Sequence, residues 1–191
     1  MRAWLSLSLL LAGCGVGTTD PTYIALTEAR AQVMQVGVEA AGTAVLARRE
    51  ALRDGIATFL TPDGASVVTQ DGMLRGTRGL GADMLASDIA ASRALVLTMQ
   101  GGTVERIHTF LDGENHAVPR RFGCIIEVQG PRQIAIGLQQ LDTILLTENC
   151  TNPEQAFVNY YWVLPTASRV VQSRQWGGAF SGMLVMRDVA P

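Results

Sequence analysis

The sequence predicts a mainly β protein, an antiparallel meander of about eleven strands that closes into a barrel or a two-sheet sandwich. Two observations predict this class. Short apolar or alternating runs recur along the chain, and turn-forming pairs such as Asp71-Gly72, Asp112-Gly113 and Asn152-Pro153 separate them. So many strands joined by short loops would leave open edges, which closure of the sheet removes. One N-terminal helix and a short helical loop complete the expected fold.

The first element is an export signal over residues 1–13. Its apolar run is far shorter than the roughly 20 residues that cross a bilayer as a helix, and it follows a positive start at Arg2. The run ends in Leu11-Ala12-Gly13-Cys14, which resembles the lipobox of bacterial lipoproteins. We therefore expect cleavage before Cys14, attachment of diacylglycerol and of acyl chains such as palmitate to that residue, and a short tether over residues 14–21. The alternatives are an ordinary secretion signal with an incidental cysteine, or a buried N-terminal strand.

The residue after the cysteine bears on the destination of the chain. Gly15 stands there instead of aspartate, as in lipoproteins sorted to the outer membrane. Several acyl chains hold a protein at a membrane in a way that one chain cannot. The predicted location is the bacterial outer membrane, with the domain lipid-anchored and facing the periplasm.

Residues 22–191 are predicted to form a single β domain that begins with a helix over residues 22–36. Ile24, Leu26, Met34 and Val36 give that segment a partial helical stripe. Alternation is clearest over residues 118–128, where apolar side chains share one face of a strand. The predicted strands are residues 43–52, 56–61, 66–70, 73–77, 103–112, 118–128, 134–138, 141–150, 156–164, 168–176 and 183–187.

The composition excludes several classes of protein. The chain has 191 residues, of which 48% are hydrophobic and 17% charged, so it can bury a core and is not a disordered protein. The net charge of −2 argues against nucleic acid as a partner, because phosphate neutralisation needs a basic surface. Lysine is absent, which argues against phosphate-binding loops that end in Gly-Lys, Schiff-base enzymes and Ser-x-x-Lys acylases.

Two cysteines remain after Cys14, at positions 124 and 150. An exported chain meets oxidising conditions, so the even pair predicts one disulfide between Cys124 and Cys150, with two buried free thiols as the alternative. In the chain-entropy model such a bond contributes about 3 to 4 kcal/mol. No metal site is expected, because no second thiol or histidine lies at ligand spacing from either cysteine.

The sequence offers few residues for catalysis, and the common nucleophile and metal signatures are absent. His108 and His116 flank the Asp112-Gly113 turn and could approach each other across a hairpin, beside Asp112 and Glu114. Such a group could bind a metal or transfer protons, but polar residues at a hairpin end are more often simply solvated. No cofactor and no catalytic residue is therefore predicted.

The segment Gly79-Leu80-Gly81-Ala82-Asp83-Met84 nearly matches a dinucleotide-binding fingerprint. Methionine stands in place of the third glycine, and no βαβ pattern surrounds the segment. It is predicted to be a shaped loop that joins the strand at residues 73–77 to a short helical stretch beginning near Ala82.

Four segments together resemble the YjbF/GfcB family, the lipoproteins of exopolysaccharide and group 4 capsule operons. They lie at residues 71–85, 148–150, 157–163 and 173–175, and they read DGMLRGTRGLGADML, ENC, FVNYYWV and SRQ. The lipobox and the cysteine pair also look like the family pattern. The residues through which the resemblance runs are Gly79, Leu80, Gly81 and Asp83 in the loop, and Asn159, Trp162, Ser173 and Gln175 in the strands. Arg78 departs from the smaller residue expected before Gly-Leu-Gly.

The resemblance implies a barrel-like β fold and a role in the production or export of surface polysaccharide, without an established catalytic activity. The leading hypothesis is thus a non-catalytic scaffold or binding subunit, with the polysaccharide or other secretion proteins as partners. Tyr160, Tyr161, Trp162 and Trp176 could stack on sugar rings, although aromatic side chains of strand-rich domains more often fill the core. The alternatives are a ligand-binding barrel of lipocalin type, which needs an apolar cavity, and a polysaccharide hydrolase that uses Asp83, Asp112 or Glu114.

Overall fold

A computed structural model of the chain describes residues 33–114 and 116–189. They form twelve antiparallel strands, one α-helix and a 3-10 turn at Glu39–Ala41. The strands are β1 (Val33–Val38), β2 (Thr43–Arg53), β3 (Ile56–Leu60), β4 (Ser66–Gln70), β5 (Met73–Arg78), β6 (Met84–Asp88), β7 (Gly102–Leu111), β8 (Ala117–Ile136), β9 (Gln139–Thr151), β10 (Ala156–Leu164), β11 (Arg169–Gly178) and β12 (Gly182–Asp188); the helix α1 spans Ala90–Leu97. The predicted signal, the lipidation site Cys14, the tether and residues 22–32 lie outside the described residues.

The strands form one sheet in the order β5-β4-β3-β2-β1-β12-β11-β10-β9-β8-β7-β6, which curls until its two edges, β5 and β6, lie side by side. A Cβ atom at Gly76 of β5 would lie 3.1 Å from the carbonyl oxygen of Met84 in β6, so glycine permits this close approach. Thr77 Oγ1 accepts a hydrogen bond from the Met84 amide at 3.0 Å. The predicted mainly β, barrel-like class is confirmed as a nearly closed barrel.

Because neighbouring strands run in opposite directions, the barrel has two distinct ends. We call the end where β1 begins the entry end. It carries α1, the turns β2–β3, β4–β5, β8–β9 and β10–β11, and the last residues of β12. The opposite end carries the turns β1–β2, β3–β4, β5–β6, β7–β8, β9–β10 and β11–β12.

Each predicted strand overlaps an observed one, and the observed count is twelve because the structure adds β1 and β6 and merges two predictions into β8. The helix predicted up to residue 36 is wrong over residues 33–36. Pairing of β1 with both β2 and β12 outweighs local helix propensity there, and it buries Met34 and Val36 on one face. The break predicted between the strands at residues 128 and 134, where Gly130-Pro131 is a turn-forming pair, is a bulge with Gly130 at φ 95°. Residues 118–128 and 134–136 therefore continue as one strand.

The helix predicted near Ala82 is also misplaced. Residues 84–88 form β6, because they pair with β7, and the helix begins only at Ala90. Asp88 Oδ1 accepts a hydrogen bond from the Ala90 amide at 3.1 Å, which supplies one partner for the first turn of α1.

Side chains fill the interior of the barrel. Met73, Leu74, Met84, Leu146 and Leu184 have no solvent-accessible surface, so no void of the size of a water molecule adjoins them. The helix α1 packs mainly on β7 at the entry end, with further contacts to β8 and β10. The interior is thus packed around these residues, while a cleft of about 360 Å³ opens at the entry end among residues such as Met34, Ala57 and Val170. The packed part of the barrel argues against the deep apolar cavity that a lipocalin-type protein needs.

Candidate functional site

A buried ion pair lies in the middle of the barrel. Arg106 in β7 and Glu148 in β9 are both inaccessible to solvent, and Arg106 Nη1 lies 2.6 Å from Glu148 Oε2. Alternation in β7 places Arg106 inside, in phase with His108 and Phe110. Two charges removed from water are stabilised only when they are well paired and hydrogen-bonded. The contribution of this ion pair to folding stability therefore depends on the side chains around it.

Three neutral side chains complete the coordination of the Glu148 carboxylate. Ser92 of α1 donates to Oε1 at 2.5 Å, while Tyr161 and Asn159 of β10 donate to Oε2 at 2.6 and 2.8 Å. Burial acts to raise the pKa of Glu148, but Arg106 and these hydrogen bonds hold it below the ordinary value. The carboxylate therefore stays ionised and ties the helix to the barrel wall.

His108 lies next to the ion pair, beside two aromatic rings that stack on each other. Its ring centroid lies 5.6 Å from those of both Phe157 and Trp176, and both pairs are stacked. Nε2 of His108 accepts a hydrogen bond from Arg106 Nε at 2.9 Å. Burial, together with the positive charge of Arg106, lowers the pKa of His108 to about 2, so the ring is neutral.

Nδ1 of His108 has no hydrogen-bond partner in the described part of the chain. The proton lies on this atom, because Nε2 is an acceptor. The interaction of His108 with His116 that the hairpin allowed does not form: His108 is buried and pairs across the strands with Arg120, whereas His116 is exposed in the β7–β8 turn.

Two residues of the family-like strands link separate strands: Gln175 of β11 reaches β5 across the barrel, and Asn159 of β10 contacts the neighbouring β11. Gln175 Oε1 accepts a hydrogen bond from the Leu74 amide at 2.9 Å, and its Nε2 donates to the carbonyl oxygen of Gly72 at 3.0 Å and to Ser173 Oγ at 2.9 Å. Asn159 Oδ1 accepts from the Trp176 amide at 2.8 Å. These buried polar side chains therefore brace β11 against β5 and β10 instead of facing a ligand.

The predicted aromatic block divides between the two faces of the sheet. Tyr161 and Trp176 lie in the interior, whereas Tyr160 and Trp162 are half-buried on the outer face of β10. The Tyr160 and Trp162 rings stack with centroids 6.4 Å apart, and the Arg174 guanidinium lies 5.7 Å from the Tyr160 ring centroid. Only this outer pair is placed where a sugar ring could reach it.

The shaped loop between β5 and β6 is organised by Asp83. Its carboxylate accepts hydrogen bonds from the amides of Gly79 and Leu80, at 2.7 and 3.0 Å, and from Thr77 Oγ1 at 3.1 Å. Gly81 has φ +104°, and a Cβ atom there would lie 2.1 Å from the ring of Phe180. The loop therefore closes the barrel between β5 and β6. The Asp83 carboxylate already accepts hydrogen bonds from the loop itself.

Asp112 and Glu114 lie in the exposed β7–β8 turn. Asp112 Oδ1 accepts the amides of Glu114 and His116 at 2.8 Å each, and these hydrogen bonds lower its pKa. Asp83 is bound within its own loop, and Asp112 is held by the amides of its own turn. Both carboxylates therefore serve as hydrogen-bond acceptors that shape the backbone around them.

The predicted disulfide is confirmed. Cys124 and Cys150 are bonded and pair directly across β8 and β9 in the interior. Ligand atoms of these two residues and Glu148 lie within 4.8 Å of one another, which is close enough for a metal ion. The sulfur atoms are joined to each other, however, so this group offers no thiolate, and Arg106 already neutralises the carboxylate.

The sequence interpretation missed Arg106 and gave Glu148 no role. The alternation Val104-Arg106-His108-Phe110 carried the relevant signal, because residues two apart lie on one face of a strand. A charged residue in phase with buried apolar residues requires a buried partner. Glu148 meets this condition, because it alternates with the buried Leu146 and Cys150 on the inner face of β9.

The fold and the site define a class of protein: a small antiparallel barrel with a packed interior, fixed by one disulfide and one buried ion pair. Comparison with known families then identifies it more closely, because a family model described as "Group 4 capsule polysaccharide lipoprotein gfcB, YjbF" matches residues 15–188. The chain belongs to this family. No helix in the described residues is both long and apolar enough to cross a membrane.

A solved structure has the same fold. The crystal structure of the hypothetical lipoprotein YmcC from Escherichia coli (K12) superposes with a TM-score of 0.73 at 20% sequence identity, and the match covers 90% of this chain and 95% of that one. A search of curated proteins found no match. The family thus associates the chain with capsule and exopolysaccharide lipoproteins, and the structural neighbour supports the barrel.

Proposed function

We propose that this protein is an outer-membrane lipoprotein that assists the production or secretion of exopolysaccharide or capsule as a non-catalytic scaffold or binding subunit facing the periplasm. Membership of the capsule lipoprotein family over residues 15–188 carries the proposal. The lipobox that ends at Cys14 supports the membrane location. A polar centre without access to solvent supports a structural role for the most strongly coupled residues, Arg106 and Glu148.

The role is tested by deleting the gene and weighing the exopolysaccharide that the cells release. We expect the yield to fall and to recover when the wild-type chain is restored. Normal yield in the deletion strain, under conditions in which the parent strain makes the protein, would contradict the role.

The anchor is tested separately with Cys14→Ser. This variant is expected to leave the lipid-modified membrane fraction, because the acyl chains are attached to that thiol. The matched control replaces the other two cysteines and keeps Cys14. Cys124→Ala with Cys150→Ala loses the disulfide and is expected to remain membrane-bound. Membrane retention of Cys14→Ser would contradict lipidation at this residue but not a role in secretion.

Contact with polysaccharide is proposed at the outer face of β10. Tyr160 and Trp162 present two stacked rings there, and Arg174, held by Glu39 at 2.6 Å, flanks them. Tyr160→Ala with Trp162→Ala is expected to weaken retention on immobilised exopolysaccharide, while Ile125→Ala, on the outer face of β8, is expected to have no effect. Equal retention of all three proteins would leave a protein partner as the better candidate, which co-purification from detergent-solubilised membranes would identify.

A further inference from the structure

A groove lies on the outer face of the barrel, over the strands β12, β1 and β2. It has a volume of about 280 Å³, and its wall includes Val185 of β12, Gly37 of β1 and Ala44 of β2. These three residues lie side by side, because Gly37 pairs with Val185 on one side and with Ala44 on the other. They belong to the outer face, since the alternate residues Val36 and Leu184 are buried in the core. We call this groove the β1 groove.

Gly37 is not required by the backbone of β1. Glycine inside a strand weakens the strand, and it often marks a bulge, a tight bend, or a place where a ligand or another backbone approaches closely. The register runs through Gly37 without a shift on both sides, and its φ is not positive. A Cβ atom there would lie no closer than 3.5 Å to any atom beyond the chain neighbours, which is ordinary contact. A side chain would therefore fit at this position and fill the groove, so a ligand that lies against the strand accounts for the glycine.

The β1 groove continues towards the aromatic pair on β10. Glu39 lines the groove, and its two carboxylate oxygens accept hydrogen bonds from Nε and Nη2 of Arg174 at 2.6 Å each. The Arg174 guanidinium lies 5.7 Å from the centroid of the Tyr160 ring, which stacks on Trp162. Arg174 also pairs across the strands with Val185, in the wall of the groove. The groove and the aromatic pair are therefore parts of one outer surface that extends from β10 to β2.

A second cleft, of about 350 Å³, adjoins the β1 groove, because Gln35 lines both. Arg187 of β12 lines this second cleft and pairs across the strands with Gln35. Within residues 33–114 and 116–189, the Arg187 guanidinium forms no ion pair. A guanidinium presents donors in a planar fork that matches the two oxygens of a carboxylate. Arg187 is therefore placed to bind an anionic group of a ligand in these clefts.

The balance of charge over the two clefts is positive. Glu39 and Asp188 are the carboxylates among the described residues that line them, and each is bound by an arginine, Glu39 by Arg174 and Asp188 by Arg169. Arg187 remains as an uncompensated positive charge. The surface therefore favours a ligand that carries negative charge beside groups that can pack on aromatic rings.

We propose that this outer surface binds one strand of an acidic polysaccharide, with sugar rings on Tyr160 and in the β1 groove and a sugar carboxylate on Arg187. The inference rests on the proposed function and deepens it, because it names the class of polymer and the residue that recognises its charge. A pyranose ring has C–H faces that pack against side chains such as Tyr160 and Val185. Its hydroxyl groups find both acceptors and donors in the pair of Glu39 and Arg174.

Binding is measured with the full-length protein solubilised from membranes in detergent. The ligand is the exopolysaccharide that the producing cells release, either native or after its carboxyl groups have been reduced to alcohols with carbodiimide and borohydride. We expect the native polymer to bind, and the reduced polymer to bind at least about tenfold more weakly. Binding of the native polymer is expected to decrease at high salt.

The groove is tested by filling it. Gly37→Phe places a ring in the β1 groove and is expected to weaken binding of the native polymer by more than about tenfold. The matched control is Gly123→Phe on the outer face of β8, where a Cβ atom would have no neighbour within 4 Å. The control is expected to bind like the wild type, and urea midpoints verify that both variants are folded. If Gly37→Phe does not fold, Ala44→Phe fills the same groove from an exposed position.

The charge is tested at Arg187. Arg187→Gln is expected to bind the native polymer about tenfold more weakly, because one charge-assisted contact is lost, and to bind the reduced polymer like the wild type. The matched control is Arg78→Gln, which removes one exposed arginine from β5 and is expected to have no effect.

Four results would overturn the inference: no binding of the native polymer to the wild type, equal affinity for the reduced polymer, equal affinities of Gly37→Phe and Gly123→Phe, or equal affinities of Arg187→Gln and Arg78→Gln. Its failure is distinct from failure of the proposed function, which the deletion strain tests. A lower exopolysaccharide yield in that strain, together with any of these four results, would remove the binding surface and leave the role in secretion.

Discussion

Replacement of Glu148 by leucine tests whether the buried ion pair organises the barrel. The change leaves Arg106 charged, inaccessible and without its carboxylate, a situation that costs about 3 to 5 kcal/mol in folded proteins. Ser92 and Asn159 also lose the acceptor that lies 2.5 and 2.8 Å away, and each buried donor left unpaired costs about 1 to 3 kcal/mol. The expected loss is therefore at least about 5 kcal/mol, which is comparable with the whole stability of many domains.

The coupling between the two charges is measured with a double-mutant cycle. Arg106→Met with Glu148→Leu removes both charges and keeps apolar volume, so it is expected to be more stable than Glu148→Leu alone. We expect a coupling free energy above about 2 kcal/mol. If Glu148→Leu does not fold, Glu148→Gln provides a second cycle, because its amide oxygen still accepts hydrogen bonds while the charge is lost.

The assay is urea unfolding at pH 7 with the disulfide intact, followed by far-ultraviolet circular dichroism and by tryptophan fluorescence. Glu127→Leu, an exposed carboxylate on the outer face of β8, is the control and is expected to change the free energy of unfolding by less than about 0.5 kcal/mol. Additivity of the Arg106 and Glu148 substitutions within about 0.5 kcal/mol would refute the argument. So would a loss in Glu148→Leu no larger than in the control.

Three further predictions concern separate parts of the barrel. The folded pKa of His108, about 2, lies below the ordinary value of 6.5, so its contribution to stability is complete above pH 6.5 and declines by up to about 1.4 kcal/mol per pH unit as the pH falls. Urea unfolding between pH 6.5 and 5 should show this slope, His108→Phe should lack it, and equal slopes would contradict the assignment of a neutral ring. Reduction of the Cys124–Cys150 bond should lower the free energy of unfolding by about 3 to 4 kcal/mol; an unchanged urea midpoint after complete reduction would count against it. Asp83→Ala should cost about 1 to 2 kcal/mol and accelerate hydrogen exchange at the Gly79 and Leu80 amides, whereas Glu114→Ala, in an exposed turn, should change neither; unchanged exchange in Asp83→Ala would contradict its role in the loop.

The β pattern was predictable because it is local. Alternation in residues 118–128 and turn pairs such as Asp71-Gly72 report which side chains share a face and where the chain reverses, and both depend on short-range sterics. The wrong secondary-structure predictions lie where pairing with a distant segment determines the conformation. Residues 33–36 carry an acceptable helical stripe, yet β2 and β12 draw them into the sheet, and β6 exists only because β7 pairs with it.

The candidate site was predictable only in part. Family-like residues such as Asn159, Ser173 and Gln175 were singled out, but their buried bracing role was not, because hydrogen bonds between residues 101 to 103 positions apart, as between Gln175 and β5, leave no local trace. The outer position of Tyr160 and Trp162 and the inner position of Tyr161 follow from strand phase, which the sequence contains. Which phase faces the interior depends on closure of the sheet.

By itself, the sequence determined the strand-rich class, the family, and the pairing of the two cysteines that remain after Cys14, because period-two patterning, turn chemistry and the count of cysteines need no distant partner. The tertiary structure alone decided that side chains fill the barrel around Leu74 and Leu146, and that Arg106 meets Glu148. These features depend on which strands become neighbours when a twelve-stranded sheet curls. That outcome is set by the free energy of burying all the inward faces together, and no single segment contains it.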